Sequence, residues 1–436
     1  MTILSLLPFL LIIPALVAAG LIAGLRNVNL HTPIAFCAGF ITLVLSLTAL
    51  PAVLSGNILR SFWLELLPGV RFGLRLDGAA LIFCAMAAFL WMLTSVYAKG
   101  YMQTLREHSQ RRFNCFFALS MFATFGVALA DNLLVLYMFY ELLSLATWPL
   151  VTHEQNDKAR TAGRKYLLYI MGPSIALVLP DIIAIYMYTG SMEFSAIALA
   201  AQKMSPSSVI IMALAFVFGF SKAAVMPLHA WLPSAMVAPT PVSALLHAVA
   251  VVKVGAYGIY RTLTGFDAQM FLNLHLDDVV CTLAAITIIA ASLIALSQDR
   301  LKRRLAFSTI GQLGYIVLGV GMMTPIAVTG ALLHIVTHAF GKITLFFCAG
   351  TIYIASGKSN ISEMCGLGRA MPWTFAFFAI GALSVIGLPP FGGFISKWYL
   401  ALGAYQGDHM LLLMVILASS FLNAAYFLPI IFRAFY

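Results

Sequence analysis

Charge is what this sequence has least of. Asp, Glu, Lys and Arg make up 9% of its 436 residues, while 62% are hydrophobic. A soluble domain carries about 25% charged residues, so a water-soluble enzyme or globular binding module is excluded and the chain reads as a polytopic membrane protein. Acidic residues are scarcest: 15 Asp and Glu stand against 25 Lys and Arg, a formal charge of +10. In so apolar a chain that excess points to basic loops on one membrane face, not to a nucleic-acid partner. Cysteine is also sparse. Cys37, Cys84, Cys115, Cys281, Cys348 and Cys365 include no CxxC pair, so no disulfide framework, zinc site or iron–sulfur motif is legible. No GxGxxG follows a strand-like run, which leaves nucleotide and flavin binding without support. No cofactor or metal is therefore expected, and any electrons would have to travel in another subunit.

What is present is a series of long apolar runs. A helix needs about 20 apolar residues to span a bilayer. On that rule the sequence predicts thirteen spans, near 3–25, 32–54, 78–98, 113–130, 132–151, 166–189, 207–236, 241–263, 279–297, 305–323, 326–356, 373–403 and 410–432. The fold class is all-α. The first run is too long and apolar for a signal peptide and lacks a small-residue cleavage site, so it is expected to stay as a span. The seventh, eleventh and twelfth are overlong or interrupted. "KAAVMPLHAWLP" puts Pro227 and Pro233 into the seventh, and "GLPPFGGF" splits the twelfth. Such breaks are tolerated at membrane depth only against protein or a wet cavity.

Charge placement supports this map. Loops after odd-numbered spans hold sixteen basic residues: Arg26, Lys99, Arg106, Arg111, Arg112, Lys158, Arg160, Arg164, Lys165, Arg300, Lys302, Arg303, Arg304, Lys358, Arg369 and Arg433. The even-numbered loops hold five, Arg60, Arg71, Arg75, Lys203 and Arg261. By the positive-inside rule the amino terminus is expected outside the cytoplasm. An internal echo adds to this: "FVFGFSK", ending at Lys222, resembles "PPFGGFISK", ending at Lys397, five spans later. An odd offset inverts the second copy, which is the pattern of an inverted repeat with discontinuous helices at its centre.

Within the spans lie Glu141, Asp181, Lys222, His247, Lys253, His334, His338, Lys342 and Lys397, with His229 near the seventh-span break. A lysine at bilayer centre costs roughly 2.5–3.5 kcal/mol on insertion scales. One such residue could be a snorkelling or carbonyl-tied side chain; so many together read as a proton or ion path. His334, His338 and Lys342 recur at i, i+4 and i+8 and share one helix stripe. That spacing also suits a metal, but no HExxH pattern accompanies it. His247 and Lys253 are six apart, and their relation is left open. Asp181, behind Pro180, is either a path residue or a cap for a proline kink. A lysine moved out of water releases its proton more readily, and a carboxylate within about 4–6 Å restores it. Glu141, the only glutamate inside a span, is the natural partner for Lys222.

The stretches carrying these residues are "FYELLSLATWPLV", "FGFSKAAVMPLHAWLPSAMVAPTPVSALLHAVAVVKVGAYGIYR", "HIVTHAFGKITLFFCAG" and "GLPPFGGFISKWYL". They resemble the antiporter-like membrane subunits of the complex I superfamily, found in NADH–quinone oxidoreductase, membrane-bound hydrogenases and Mrp cation/proton antiporters. The resemblance runs from about residue 78 to 436. It implies two inverted five-helix repeats, 113–263 and 279–432, each a half-channel, after an amino-terminal segment 1–112. It also implies a role for each residue. Glu141 and Lys222 look like the carboxylate–lysine pair of the first half-channel, and Lys253 with His247 the central connection. His334, His338 and Lys342 look like the second path and Lys397 its terminal site. Implied as well are partner subunits in one multisubunit complex, protons as the ion with sodium as the alternative, and a bacterial or archaeal plasma membrane. The chain would then be a non-redox subunit of a proton-translocating oxidoreductase, or a subunit of an Mrp-type Na+/H+ antiporter, or a non-transporting anchor. Two departures stand out. Relatives usually have about fourteen helices, so either a terminal helix is absent here or the sequence stops short of it. Lys397 stands where one complex I subtype has glutamate.

Overall fold

Residues 3–436 are described by a computed structural model, and 80% of the chain is helical. Among these described residues ten helices are long and apolar enough to cross a membrane: Ser5–Gly24, Val28–Leu54, Gly78–Thr104, Gln110–Leu129, Leu133–Val151, Asp157–Thr189, Thr240–Leu263, Leu276–Ser297, Pro325–Ser356 and Met410–Phe435. Each coincides with an expected span. Of the three other expected spans, 305–323 is the helix Leu301–Gly321, while 207–236 and 373–403 are interrupted. The protein is an all-α integral membrane protein. Packing divides it into two units, one reaching Phe220 and including Arg261–Asp267, the other comprising Ser221–Tyr260 and Ala268–Tyr436.

In the first unit, helices α1 (Ile3–Gly24) and α2 (His31–Leu54) lead to a hairpin of β1 (Leu59–Leu67) and β2 (Val70–Leu76). Its strands are antiparallel, with Leu59 opposite Leu76 and Arg60 opposite Arg75. They turn at Gly69, whose φ of +77° favours glycine. The sequence reading contained no strand here. Helices α3 (Gly78–Thr104), α4 (Gln110–Leu129), α5 (Leu133–Val151), α6 (Asp157–Thr189), α7 (Ala196–Lys203) and α8 (Pro206–Gly219) follow. Four of them, α3, α5, α6 and α8, start at short polar caps. Asp77 accepts from the Ala80 N–H, Asn132 from Val135, Asn156 from Ala159 and Ser205 from Ser208. Each cap satisfies a backbone donor that the helix itself cannot. Asp77 also anchors two arginines. Arg261 grips both of its carboxylate oxygens at 2.7 and 2.8 Å, and Arg75 binds Oδ2 at 2.8 Å.

The second unit holds the breaks. After Gly219 the chain leaves the helix through Phe220 (ψ 50°) into a tight 3-10 turn, Ser221–Ala223. The break thus begins before Lys222, ahead of the prolines that signalled it. Helix α9 (Thr240–Leu263) presses on this turn at Gly255, where a Cβ would stand 2.1 Å from the Ala223 nitrogen; only glycine permits that approach. Then come α10 (Leu276–Ser297), α11 (Leu301–Gly321) and α12 (Pro325–Ser356), the last capped by Thr324 with Pro325 at its first position. Helix α13 (Pro372–Ile386) ends at Gly387, φ +90°, and α14 (Gly392–Gln406) resumes beyond "LPPF". Helix α15 (Met410–Phe435) packs on α10, while α12 packs against α11, α13 and α14. The membrane window of α9 is 100% buried, against 28% for Val28–Leu54. The helix bearing His247 and Lys253 is therefore core, and neither residue can snorkel to an interface.

Candidate functional site

In the first unit Glu141 lies half-buried on α5. Its carboxylate accepts hydrogen bonds from the Ser174 hydroxyl and, at 3.3 Å, from Ser144. Ser174 opens a π-turn in α6, Ser174–Val178, directly after Pro173. Such bulges recur at functional sites because they re-aim side chains within a helix. Asp181 lies one turn past this bulge, and its Oδ2 is buried without a hydrogen-bond partner.

In the second unit Lys222 is fully buried in the 3-10 turn. The turn is pinned from outside by the Trp231 indole, which donates to the Ser221 carbonyl at 3.1 Å. The edge of that indole meets the ring of His247, 6.2 Å away between centroids. His247 sits in a second π-turn, Leu246–Ala250, one turn before Lys253.

A connected array begins at Lys253. Its ammonium bonds to the Ala248 carbonyl at 3.3 Å and to Nδ1 of His338. The ring of His338 lies parallel to that of His334, with 5.8 Å between centroids and 7° between planes. His334 Nδ1 is 2.9 Å from Ser396 Oγ, and Nε2 is 3.1 Å from Gln312 Oε1. Tyr315 connects the far end: its ring lies 5.3 Å from His334 and 4.9 Å from the Lys397 ammonium. Lys397 then donates to the Ile386 carbonyl at 2.9 Å and to Ser420 at 3.0 Å. Lys253, His338, His334, Gln312 and Ser396 are all no more than 2% exposed. Among the described residues no carboxylate pairs with Lys253.

This array can hold and pass a proton. Two cations in direct contact inside a low-dielectric core repel strongly, so Lys253 and His338 hold one proton between them more readily than two. At His334 the partners suit more than one state. A neutral ring with hydrogen on Nε2 donates to Gln312 and accepts from Ser396. A protonated ring donates from both nitrogens, and Ser396 can then turn its hydroxyl to the Gly393 carbonyl, 3.1 Å away. Thr337, 3.0 Å from Ser396, supplies a replacement donor.

The array gathers part of what the sequence singled out. Lys253, His334, His338 and Lys397 are brought into one neighbourhood. Lys342 shares the helix stripe but donates to the Leu305 carbonyl at 3.2 Å and faces the Phe427 ring. Ser174, Gln312, Tyr315, Ser396 and Ser420 were not foreseen. One signal was there: in both copies of the echo a serine, Ser221 or Ser396, immediately precedes the lysine.

Comparison with known proteins matches residues 130–423, which contain every residue of this site, to the family described as NADH:quinone oxidoreductase/Mrp antiporter, TM. The NADH-quinone oxidoreductase subunit N of Desulforudis audaxviator is 36% identical over 354 residues, 80% of this chain and 70% of that protein. The Na(+)/H(+) antiporter subunit A1 of Staphylococcus aureus is 34% identical over 368 residues, 80% of this chain but 45% of that protein. Among solved structures, a chain of the membrane-bound sulfane sulfur reductase, an archaeal respiratory membrane complex, superposes with a TM-score of 0.89 at 25% identity. The match covers 98% of this chain and 88% of that one. A chain of the Mrp complex from a Dietzia species gives the same TM-score at 23% identity, covering 100% and 80%, a likeness of fold.

Proposed function

Because the chain belongs to the NADH:quinone oxidoreductase/Mrp antiporter transmembrane family, we propose that it is a proton-translocating, antiporter-like subunit of a redox-driven ion pump related to complex I. Protons move along Glu141, Lys222, His247, Lys253, His334, His338, Lys342 and Lys397, and the chain carries no redox cofactor. The observation that carries this reading is the buried Lys253–His338–His334 array, extended through Tyr315 to Lys397. Fixed charges are costly in such a core, whereas titratable groups in contact with hydroxyl and amide partners give a proton successive places to reside. Segments 113–263 and 279–432 form two inverted half-channels behind the amino-terminal segment 1–112. The amino terminus faces outward from a bacterial or archaeal plasma membrane, in a complex with other membrane subunits.

A second reading, a subunit of an Mrp-type Na+/H+ antiporter, draws on the 34% identity to antiporter subunit A1. Sodium requires clustered hard oxygen ligands, and away from the first turns of the described spans the carboxylates are Glu141 and Asp181, so protons are the better-supported ion. A purely anchoring role accounts for none of the buried cations. The test is ion pumping by the assembled complex in proteoliposomes. Lys222→Ala and Glu141→Ala should each abolish most pumping while assembly persists; wild-type rates in either variant overturn their pairing. Pumping driven by a redox substrate supports the pump, and transport driven only by a sodium or pH gradient supports the antiporter.

A further inference from the structure

Outside the spans, in the first unit, three potential ligands converge where the loop after α3 meets the end of α5. A carboxylate oxygen of Glu107 and ring nitrogens of His108 and His153 all lie within 4.8 Å of one another. We propose that these three residues form a binding site for a zinc-class divalent cation.

His153 carries the argument. Its side chain is fully buried, yet neither ring nitrogen makes a well-formed hydrogen bond. Buried polar groups are rarely left so, and each exception calls for an explanation such as an ion. The ring is also firmly placed. It stacks on His108 at 4.9 Å and 21°, meets the Phe113 edge at 5.5 Å, and points Nε2 at Glu107, 3.7 Å away. In its neutral form the imidazole offers a lone pair, the form a metal requires. Arg112 is close, but its Nη2 donates to the His153 carbonyl at 2.9 Å.

Two imidazoles and one carboxylate make a typical three-ligand zinc set with an open fourth position. Calcium and magnesium prefer oxygen-only sets. At Zn–N and Zn–O distances of about 2.0–2.2 Å, tetrahedral ligand atoms lie about 3.3 Å apart. The cluster must therefore close by up to about 1.5 Å. His108 is exposed and Glu107 partly exposed, so both can adjust toward the fixed His153. A bound cation would tie the 105–109 loop to the end of α5, the helix that bears Glu141.

The inference stands apart from the transport reading and is tested by binding alone. The full-length protein in detergent, stripped with chelator, is titrated with Zn2+ at neutral pH by calorimetry, with Mg2+ as the comparison. One Zn2+ per chain is expected, with weakening of at least about tenfold in His108→Ala and in Glu107→Gln. Both variants change accessible side chains and should keep the wild-type circular dichroism; His153→Ala is the stronger but riskier lesion. Absence of Zn2+ binding, Mg2+ binding as tight as Zn2+, or a Zn2+ affinity unchanged in both variants overturns the proposal.

Discussion

Lys253 is hydrogen-bonded to Nδ1 of His338, 85 residues further along the chain, and both side chains are buried. A lysine that served only to tie helices together could make this bond permanently charged. A lysine that relays a proton must be able to lose its charge to the imidazole.

Lys253→Arg separates the two. Arginine stays protonated at any accessible pH, while Lys253→Met removes the charge with similar bulk. A relay predicts that the Arg variant assembles normally but transports about a hundredfold more slowly, the scale of lost acid–base function. A structural tie predicts near-normal transport with Arg and loss of folded complex with Met. Proton uptake by proteoliposomes, normalised to assembled protein, decides between them.

Ser396 should matter through His334 and not by itself. Ser396→Ala removes the hydroxyl that follows the imidazole between its protonation states, leaving one nitrogen without its partner. Assembly should persist, transport should fall by about tenfold or more, and the pH dependence of the rate should move. An unshifted pH profile at reduced rate would reduce Ser396 to packing.

Asp77 offers a stability test away from the path. Burial works against its charge, but hydrogen bonds and ion pairs with Arg261 and then Arg75 hold its carboxyl well below the ordinary 3.8. A depressed pKa stabilises the fold above the unfolded value, and that stabilisation is lost as pH falls through the folded value. The wild type should thus weaken only below about pH 4. Asp77→Asn leaves two arginines short of a counter-charge and should cost about 3 kcal/mol at neutral pH, with a flatter acid limb. Thermal unfolding in detergent across pH measures both.

Topology is checked at Lys158. A cysteine placed there, in a loop after an odd-numbered span, should resist an impermeant thiol reagent added outside intact cells. Ready external labelling would invert the orientation.

The sequence alone determined the elements that depend on local composition. Runs of apolar residues long enough to cross a bilayer announce themselves wherever they occur. The titratable residues were equally legible, since any charge in such oily surroundings stands out. The hairpin Leu59–Leu67 and Val70–Leu76 was not, because nine- and seven-residue strands between long spans carry a weak alternating signal. Helix periodicity grouped His334, His338 and Lys342 on one stripe, but only packing sends the Lys342 ammonium to Leu305 and joins His338 to Lys253. Periodicity says which side chains share a helix face; it contains nothing about what another helix presents opposite. Gln312, Tyr315 and Ser396 show the same limit. Neutral side chains cost little in an apolar run and draw no notice in the chain, and they join the site only where α11, α12 and α14 bring them within hydrogen-bond and ring-contact distance of His334.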